Sequence, residues 1–121
     1  MIDKLAKEIH QNAKDKGFFE TDRNLGELLC LIHSEVSEAL EADRKSKYCK
    51  QDVKQILEIE DNNKFQKFFE NSVKNTFEDE LADVLIRVLD LAAYKNIDLE
   101  THINAKMKYN ALRAKKHGKK Y

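Results

Sequence analysis

Proline is absent from this chain of 121 residues, and glycine occurs only three times. These residues most often end helices and form tight turns, so their scarcity permits long helices with few interruptions. Charged residues make up 36% of the chain, and hydrophobic residues make up 41%, which is enough for one core. The sequence therefore predicts an all-α protein with a single domain over residues 1–121.

Apolar residues recur at helical spacing in four longer segments and two shorter ones. The four main helices are expected at about 2–17, 25–45, 77–95 and 99–114. Thr76 and Asp98 are well placed to cap the last two, and Asn96 can adopt the left-handed conformation that ends a helix. The predicted architecture is a bundle of four main helices, with a short helical insertion at 46–75 and a basic tail at 115–121.

Charge and cysteine content restrict the partners and the compartment. The formal net charge is zero, so the chain as a whole has no field that recruits nucleic acid or an anionic membrane, and we expect neither as a partner. No apolar run approaches the roughly 20 residues that span a bilayer, and no N-terminal segment resembles a signal peptide. We expect a cytoplasmic protein in which Cys30 and Cys49 are free thiols.

Four carboxylates stand out because of their position on predicted helices. On a helical wheel Glu35 falls inside the apolar arc of the second helix, and Glu38 lies at its edge. Glu80 and Asp83 repeat the same i, i+3 spacing in the polar strip of the helix that follows the insertion. A carboxylate among leucines calls for a cation, so removal of its charge by Glu35→Gln is expected to stabilise the metal-free protein.

Two interpretations of these carboxylates remain open from periodicity alone. If the two helices face each other, four carboxylates converge and form an oxygen-only site of the kind that selects Mg²⁺, with Mn²⁺ as a possible substitute. Alternatively, the acids belong to an ion-pair network with Arg87 or Arg44. A di-iron site is excluded, since none of the four histidines has a glutamate three residues before it.

The last predicted helix carries a second group of polar residues on one face. Lys106, Asn110 and Arg113 are spaced at i, i+4 and i+7, which places them within about 60° of one another. Two cations and an amide suit a polyphosphate. Taken alone, however, such a stripe is more often an ordinary solvated surface, and only an acidic metal site nearby favours the phosphate interpretation.

The two carboxylate pairs resemble the Glu-x-x-Glu and Glu-x-x-Asp motifs of the MazG-like all-α nucleoside triphosphate pyrophosphohydrolases. That family also includes dimeric dUTPases and dCTP pyrophosphatases. The similarity covers about residues 15–45 and 76–118, and the motifs are Glu35-Val36-Ser37-Glu38 and Glu80-Leu81-Ala82-Asp83. Two features depart from the family: the insertion is longer than in compact members, and Phe18 and Phe19 stand where relatives often have a tryptophan.

The resemblance implies Mg²⁺-dependent hydrolysis of a nucleoside triphosphate to a monophosphate and pyrophosphate. Glu35, Glu38, Glu80 and Asp83 would then be the metal ligands and catalytic residues. It also implies that Lys106 and Asn110 contact the substrate, and Arg113, on the same stripe, is the further candidate.

The protein is expected to form a homo-oligomer, and one alternative to the hydrolase function is considered. The wide apolar arc of the helix at 77–95 and the resemblance both point to a homodimer or homotetramer. The alternative function is a non-catalytic helical module that binds nucleic acid or a protein partner through the basic C-terminal region.

Overall fold

Residues 1–113 are described by the computed structural model, which has six helices and no strand among them. The helices are α1 (Ile2–Asp15), α2 (Leu25–Arg44), α3 (Val53–Leu57), α4 (Asn62–Ser72), α5 (Phe77–Tyr94) and α6 (Leu99–Leu112). The predicted all-α class is confirmed. The predicted basic tail at 115–121 lies outside the described residues, as does the final residue expected for the last helix.

Short polar side chains define where the helices begin. The side chains of Asn24, Thr76 and Asp98 accept hydrogen bonds from backbone N–H groups in the first turns of α2, α5 and α6. The predicted caps at Thr76 and Asp98 are therefore confirmed. Gly17 and Asn96, which follow the ends of α1 and α5, have φ angles of 86° and 55°, as expected for left-handed residues that end a helix.

Helix α5 is the centre of the fold. It packs against α2 and against α1, and Leu89 near its middle is the most deeply buried large side chain. Small residues at the contacts, such as Ala39 on α2 and Ala92 on α5, allow the backbones to approach closely. Helix α6 packs mainly against α1, so the four longer helices are present but α6 does not close a compact four-helix bundle.

The insertion contains two short helices, α3 and α4, which pack against each other. Its base is fastened to the first turn of α5. The backbone N–H of Phe77 donates to the carbonyl of Lys47 at 2.7 Å, and the N–H of Cys49 donates to both carboxylate oxygens of Glu78, at 3.1 and 3.0 Å. The insertion is thus anchored immediately before Glu80.

Both α2 and α5 expose apolar side chains as well as burying them. Val36 and Leu40 on α2 and Leu81 and Leu85 on α5 are each more than half exposed. Surface of this kind on neighbouring helices is typical of a protein interface. Among the described residues, no helix has both the length and the apolar character needed to cross a membrane.

Candidate metal centre

Three of the four predicted metal ligands lie together between α2 and α5. One carboxylate oxygen from each of Glu35, Glu38 and Glu80 lies within 4.8 Å of the other two. The i, i+3 spacing places Glu35 and Glu38 on one side of α2, and the packing of α2 against α5 brings Glu80 opposite them. The predicted convergence of carboxylates from two helices is therefore present for these three residues.

Two of these carboxylates are buried and only partly bonded. Glu35 and Glu80 are 8% and 6% exposed, respectively. The Oε2 atoms of both are inaccessible to solvent and have no hydrogen-bond partner among the described residues. A buried acceptor without a partner costs about 1–3 kcal/mol, and more when it is charged. The folded chain thus buries two carboxyl oxygens without partners in one group of acids, and a bound cation would stabilise them.

The acidic surroundings alter the ionisation of Glu80. Its pKa is raised from the ordinary 4.5 to about 7, chiefly by burial and next by a hydrogen bond shared with Glu38. The negative charges of Glu38, Asp83 and Glu35 add to the effect. Without a cation, Glu80 therefore holds a proton up to near-neutral pH.

Asp83, the fourth predicted ligand, lies beside the group of three but is not part of it. It is half-buried, and burial together with the charges of Asp79 and Glu35 raises its pKa, while Arg87 lowers it. Asp83 and Glu35 line the same cavity. Asp83 is therefore positioned next to the three-carboxylate group, at its opening to the cavity.

Arg87 supplies a positive charge directly at this group. Its Nε–H donates to Glu35 Oε1 at 2.8 Å across the α2–α5 contact. The ion-pair interpretation of the carboxylates is thus realised in part, with Arg87 rather than Arg44 as the partner. One guanidinium nonetheless faces four carboxylic acids, so the ion pair leaves most of the negative charge uncompensated.

The donor set fits a hard divalent cation. All three converging groups are carboxylates, and Mg²⁺ and Mn²⁺ prefer oxygen ligands, whereas Zn²⁺ prefers nitrogen and sulfur. Carboxylate oxygens that shared one Mg²⁺ would lie about 3–4 Å apart, since each Mg–O distance would be about 2.1 Å. The oxygens of Glu35, Glu38 and Glu80 lie within 4.8 Å of one another, so these side chains would have to move closer together to hold one ion. The unsatisfied oxygens of Glu35 and Glu80 are a further reason to expect a cation here.

A cavity of about 520 Å³ opens beside the carboxylates, between α1, α2 and α5. Its lining includes Glu35, Asp83 and Arg87, together with Phe18 and Arg23 from the connection between α1 and α2. This volume falls within the range of small-molecule sites. This cavity could not be predicted from the sequence, because α1 becomes one of its walls only when it packs against α5.

A histidine–aspartate pair near the cavity was also not expected from the sequence. His10 Nδ1 lies 2.8 Å from Asp90 Oδ1, and the imidazole packs edge-on against Phe19 with the ring centres 4.7 Å apart. Asp90 lines the cavity that contains Glu35. The available signal was the position of Asp90 in the polar strip of α5, but nothing in the sequence identified His10 as its partner.

The predicted phosphate-binding residues Lys106, Asn110 and Arg113 are all exposed. Lys106 lies in the middle of α6, Asn110 in its last turn and Arg113 just beyond its end. Lys106 Nζ and the Arg113 guanidinium lie 5.0 and 6.0 Å from the ring centre of Tyr109, which is on the same helix. Neither cation forms an ion pair with a carboxylate of the described chain. The structure thus brings the carboxylates together but does not join the α6 residues to them within one chain.

The chain was compared with protein-family models, with curated proteins and with solved structures, and none of them matches it.

Proposed function

We propose that the protein is a Mg²⁺-dependent nucleoside triphosphate pyrophosphohydrolase of the MazG-like kind, releasing a nucleoside monophosphate and pyrophosphate. The observation that supports it most is the convergence of Glu35, Glu38 and Glu80 with two buried, unpartnered carboxylate oxygens. This arrangement favours a hard divalent cation. The choice of reaction follows from the resemblance of the two motifs, with Mn²⁺ as a possible substitute for Mg²⁺.

The roles within the site follow from the positions of the side chains. Glu35, Glu38 and Glu80 would hold the cation, and Asp83 would complete the set from the side of the cavity. Such a cation supplies charge neutralisation for phosphate oxygens and lowers the pKa of water. Burial and the neighbouring carboxylates raise the pKa of Glu80 to about 7, so cation binding and loss of its proton would be coupled.

The cavity beside the carboxylates supports a nucleotide-sized substrate. Its lining combines the carboxylates Glu35 and Asp83 with the apolar side chains of Leu28, Leu31 and Ile86. A nucleotide likewise has a charged part and an apolar part, because its phosphates require cations while its base presents flat, largely apolar faces.

Assembly into a homodimer or homotetramer is part of the proposal. The exposed side chains of Val36, Leu40, Leu81 and Leu85 provide the apolar surface that a second copy would cover. Since α6 packs mainly against α1, its Lys106, Asn110 and Arg113 can serve a phosphate site through a neighbouring copy. A cytoplasmic location is also proposed, consistent with two cysteines that are both free.

The test is an assay of pyrophosphate release with a panel of ribo- and deoxyribonucleoside triphosphates and Mg²⁺. We expect release with at least one nucleotide, loss of release with a chelator, and loss in Glu38→Gln. Glu70→Gln, an exposed charge removal on α4, is the matched control and should retain activity. Absence of pyrophosphate across the whole panel, together with binding of nucleic acid or a protein through α6, would replace this proposal with the non-catalytic module.

A further inference from the structure

Arg87 and Glu35 form an ion pair whose two sides differ in their surroundings. The Glu35 side chain is 11% exposed, whereas that of Arg87 is 41% exposed, and both line the cavity. The Nε–H of Arg87 donates to Glu35 Oε1, and Glu35 Oε2 has no partner among the described residues. A single guanidinium is therefore the only protein cation that contacts the three-carboxylate group in the described part of the chain.

The same carboxylate belongs to the group of three that fits a divalent cation. An oxygen of Glu35 lies within 4.8 Å of oxygens from Glu38 and Glu80, so a cation bound there would share Glu35 with Arg87. Two positive charges a few ångströms apart in a partly desolvated site repel each other strongly. A carboxylate that donates electron density to a metal is also a weaker acceptor for a guanidinium, so the two cations oppose each other at Glu35.

We propose that Arg87 is an internal counter-ion that competes with the divalent cation for Glu35, and that it thereby sets the metal affinity of the centre. This inference rests on the proposed metal-dependent function, but it concerns the affinity of the centre for the divalent cation. The competing role has a definite sign, because removal of Arg87 should strengthen metal binding. A residue that merely held Glu35 in position for the metal would have the opposite effect.

The test compares Arg87→Met with wild-type protein by calorimetric titration with Mn²⁺ and with Mg²⁺, without nucleotide and at fixed pH and ionic strength. Methionine keeps the length of the stem and removes the charge. The expected gain in affinity is about tenfold or more, which corresponds to the lower part of the range for a hydrogen bond to a charged group. Arg44→Met is the matched control, since Arg44 is exposed, lies at the end of α2 and has no ion pair with a described carboxylate. It removes the same charge and should change the affinity by less than twofold.

Melting temperatures give a second readout that does not depend on turnover. In a chelator, Arg87→Met should melt below wild type, because Glu35 has lost the one hydrogen-bonded partner that it has among residues 1–113. Saturating Mn²⁺ should raise the melting temperature of the variant by more than it raises that of wild type. Arg87→Lys keeps the positive charge on a shorter side chain, so its metal affinity should lie between those of wild type and Arg87→Met. This variant provides the test if the methionine variant does not fold.

The outcomes separate this inference from the proposed function. If wild type binds Mn²⁺ and Arg87→Met binds it equally or more weakly, competition at Glu35 is refuted, while the metal-dependent hydrolase is unaffected. If neither wild type nor any variant binds a divalent cation, both the inference and the metal centre are refuted. If Arg44→Met also binds Mn²⁺ more tightly than wild type, the effect is due to overall charge, and a specific role for Arg87 is refuted.

Discussion

Replacing Glu80 with glutamine should stabilise the protein when a chelator removes divalent metal. Glu80 is almost completely buried, one of its oxygens has no hydrogen-bond partner among the described residues, and its carboxylate neighbours repel its charge. Glutamine has the same shape and carries no charge. The change therefore removes the repulsion while keeping the volume of the core.

The size of the effect follows from the pKa of Glu80. A rise from 4.5 to about 7 corresponds to a penalty of about 3 kcal/mol for the ionised folded form, at about 1.4 kcal/mol per pH unit. A buried amide that lacks partners costs about 1–2 kcal/mol, so the net gain in Glu80→Gln is about 1–2 kcal/mol above pH 7. In a domain of this size the melting temperature should rise by about 5 °C.

The pH dependence has a definite sign. The folded protein binds this proton more tightly than the unfolded chain, so the free energy of unfolding of wild type falls as pH rises from about 4.5 to about 7. Glu80→Gln should lose most of this dependence and give the larger advantage at pH 8, with little or none at pH 5.

The assay is urea unfolding of both proteins in EDTA at pH 5, 6, 7 and 8, with Glu70→Gln as an exposed control that should follow wild type at every pH. Saturating Mg²⁺ at pH 8 should reverse the order and favour wild type, which keeps the carboxylate ligand. Parallel pH profiles for wild type and Glu80→Gln in EDTA would refute the assignment of a raised pKa to this residue.

The remaining predictions concern activity and assembly. Glu38→Gln and Asp83→Asn should each abolish turnover. The circular dichroism and melting temperature of both variants should stay close to wild type, because each substitution removes the charge of a ligand and keeps the volume of the side chain. Retained activity in both variants would contradict the metal-site assignment. Lys106→Ala should lower turnover with little change in stability, whereas Lys108→Ala, an exposed α6 lysine outside the predicted stripe, should not; equal losses would mean that only the overall charge of α6 matters. Light scattering should return a dimer or tetramer mass at micromolar concentration, and Leu85→Lys should shift it toward the monomer; a monomeric wild type would refute the proposed assembly.

One expectation about the carboxylates changes once their neighbours are known. The sequence placed Glu35 in an apolar arc and indicated that Glu35→Gln would relieve buried charge. In the structure Glu35 is bonded to Arg87, so that substitution leaves a guanidinium without its partner. The stabilising change is expected at Glu80 instead, since its hydrogen-bonding neighbour in the site is another carboxylate.

Local chemistry determined much of this protein in advance. The absence of proline and the helical spacing of apolar residues predicted the all-α class, and short polar side chains predicted the starts of α5 and α6. The i, i+3 spacing of Glu35 with Glu38 required only the geometry of a single helix to place both on one side. These features depend on residues a few positions apart, so the sequence alone contains them.

Contacts between distant segments were decided only by the tertiary structure. The packing of α5 against α2 placed Glu80 opposite the glutamates of α2 and made Arg87, rather than Arg44, the ion-pair partner of Glu35. The packing of α5 against α1 brought His10 next to Asp90. The same packing placed α6 against α1. A helical pattern fixes which residues share a face, but it carries no information about which faces meet, because many arrangements of helices bury similar apolar area.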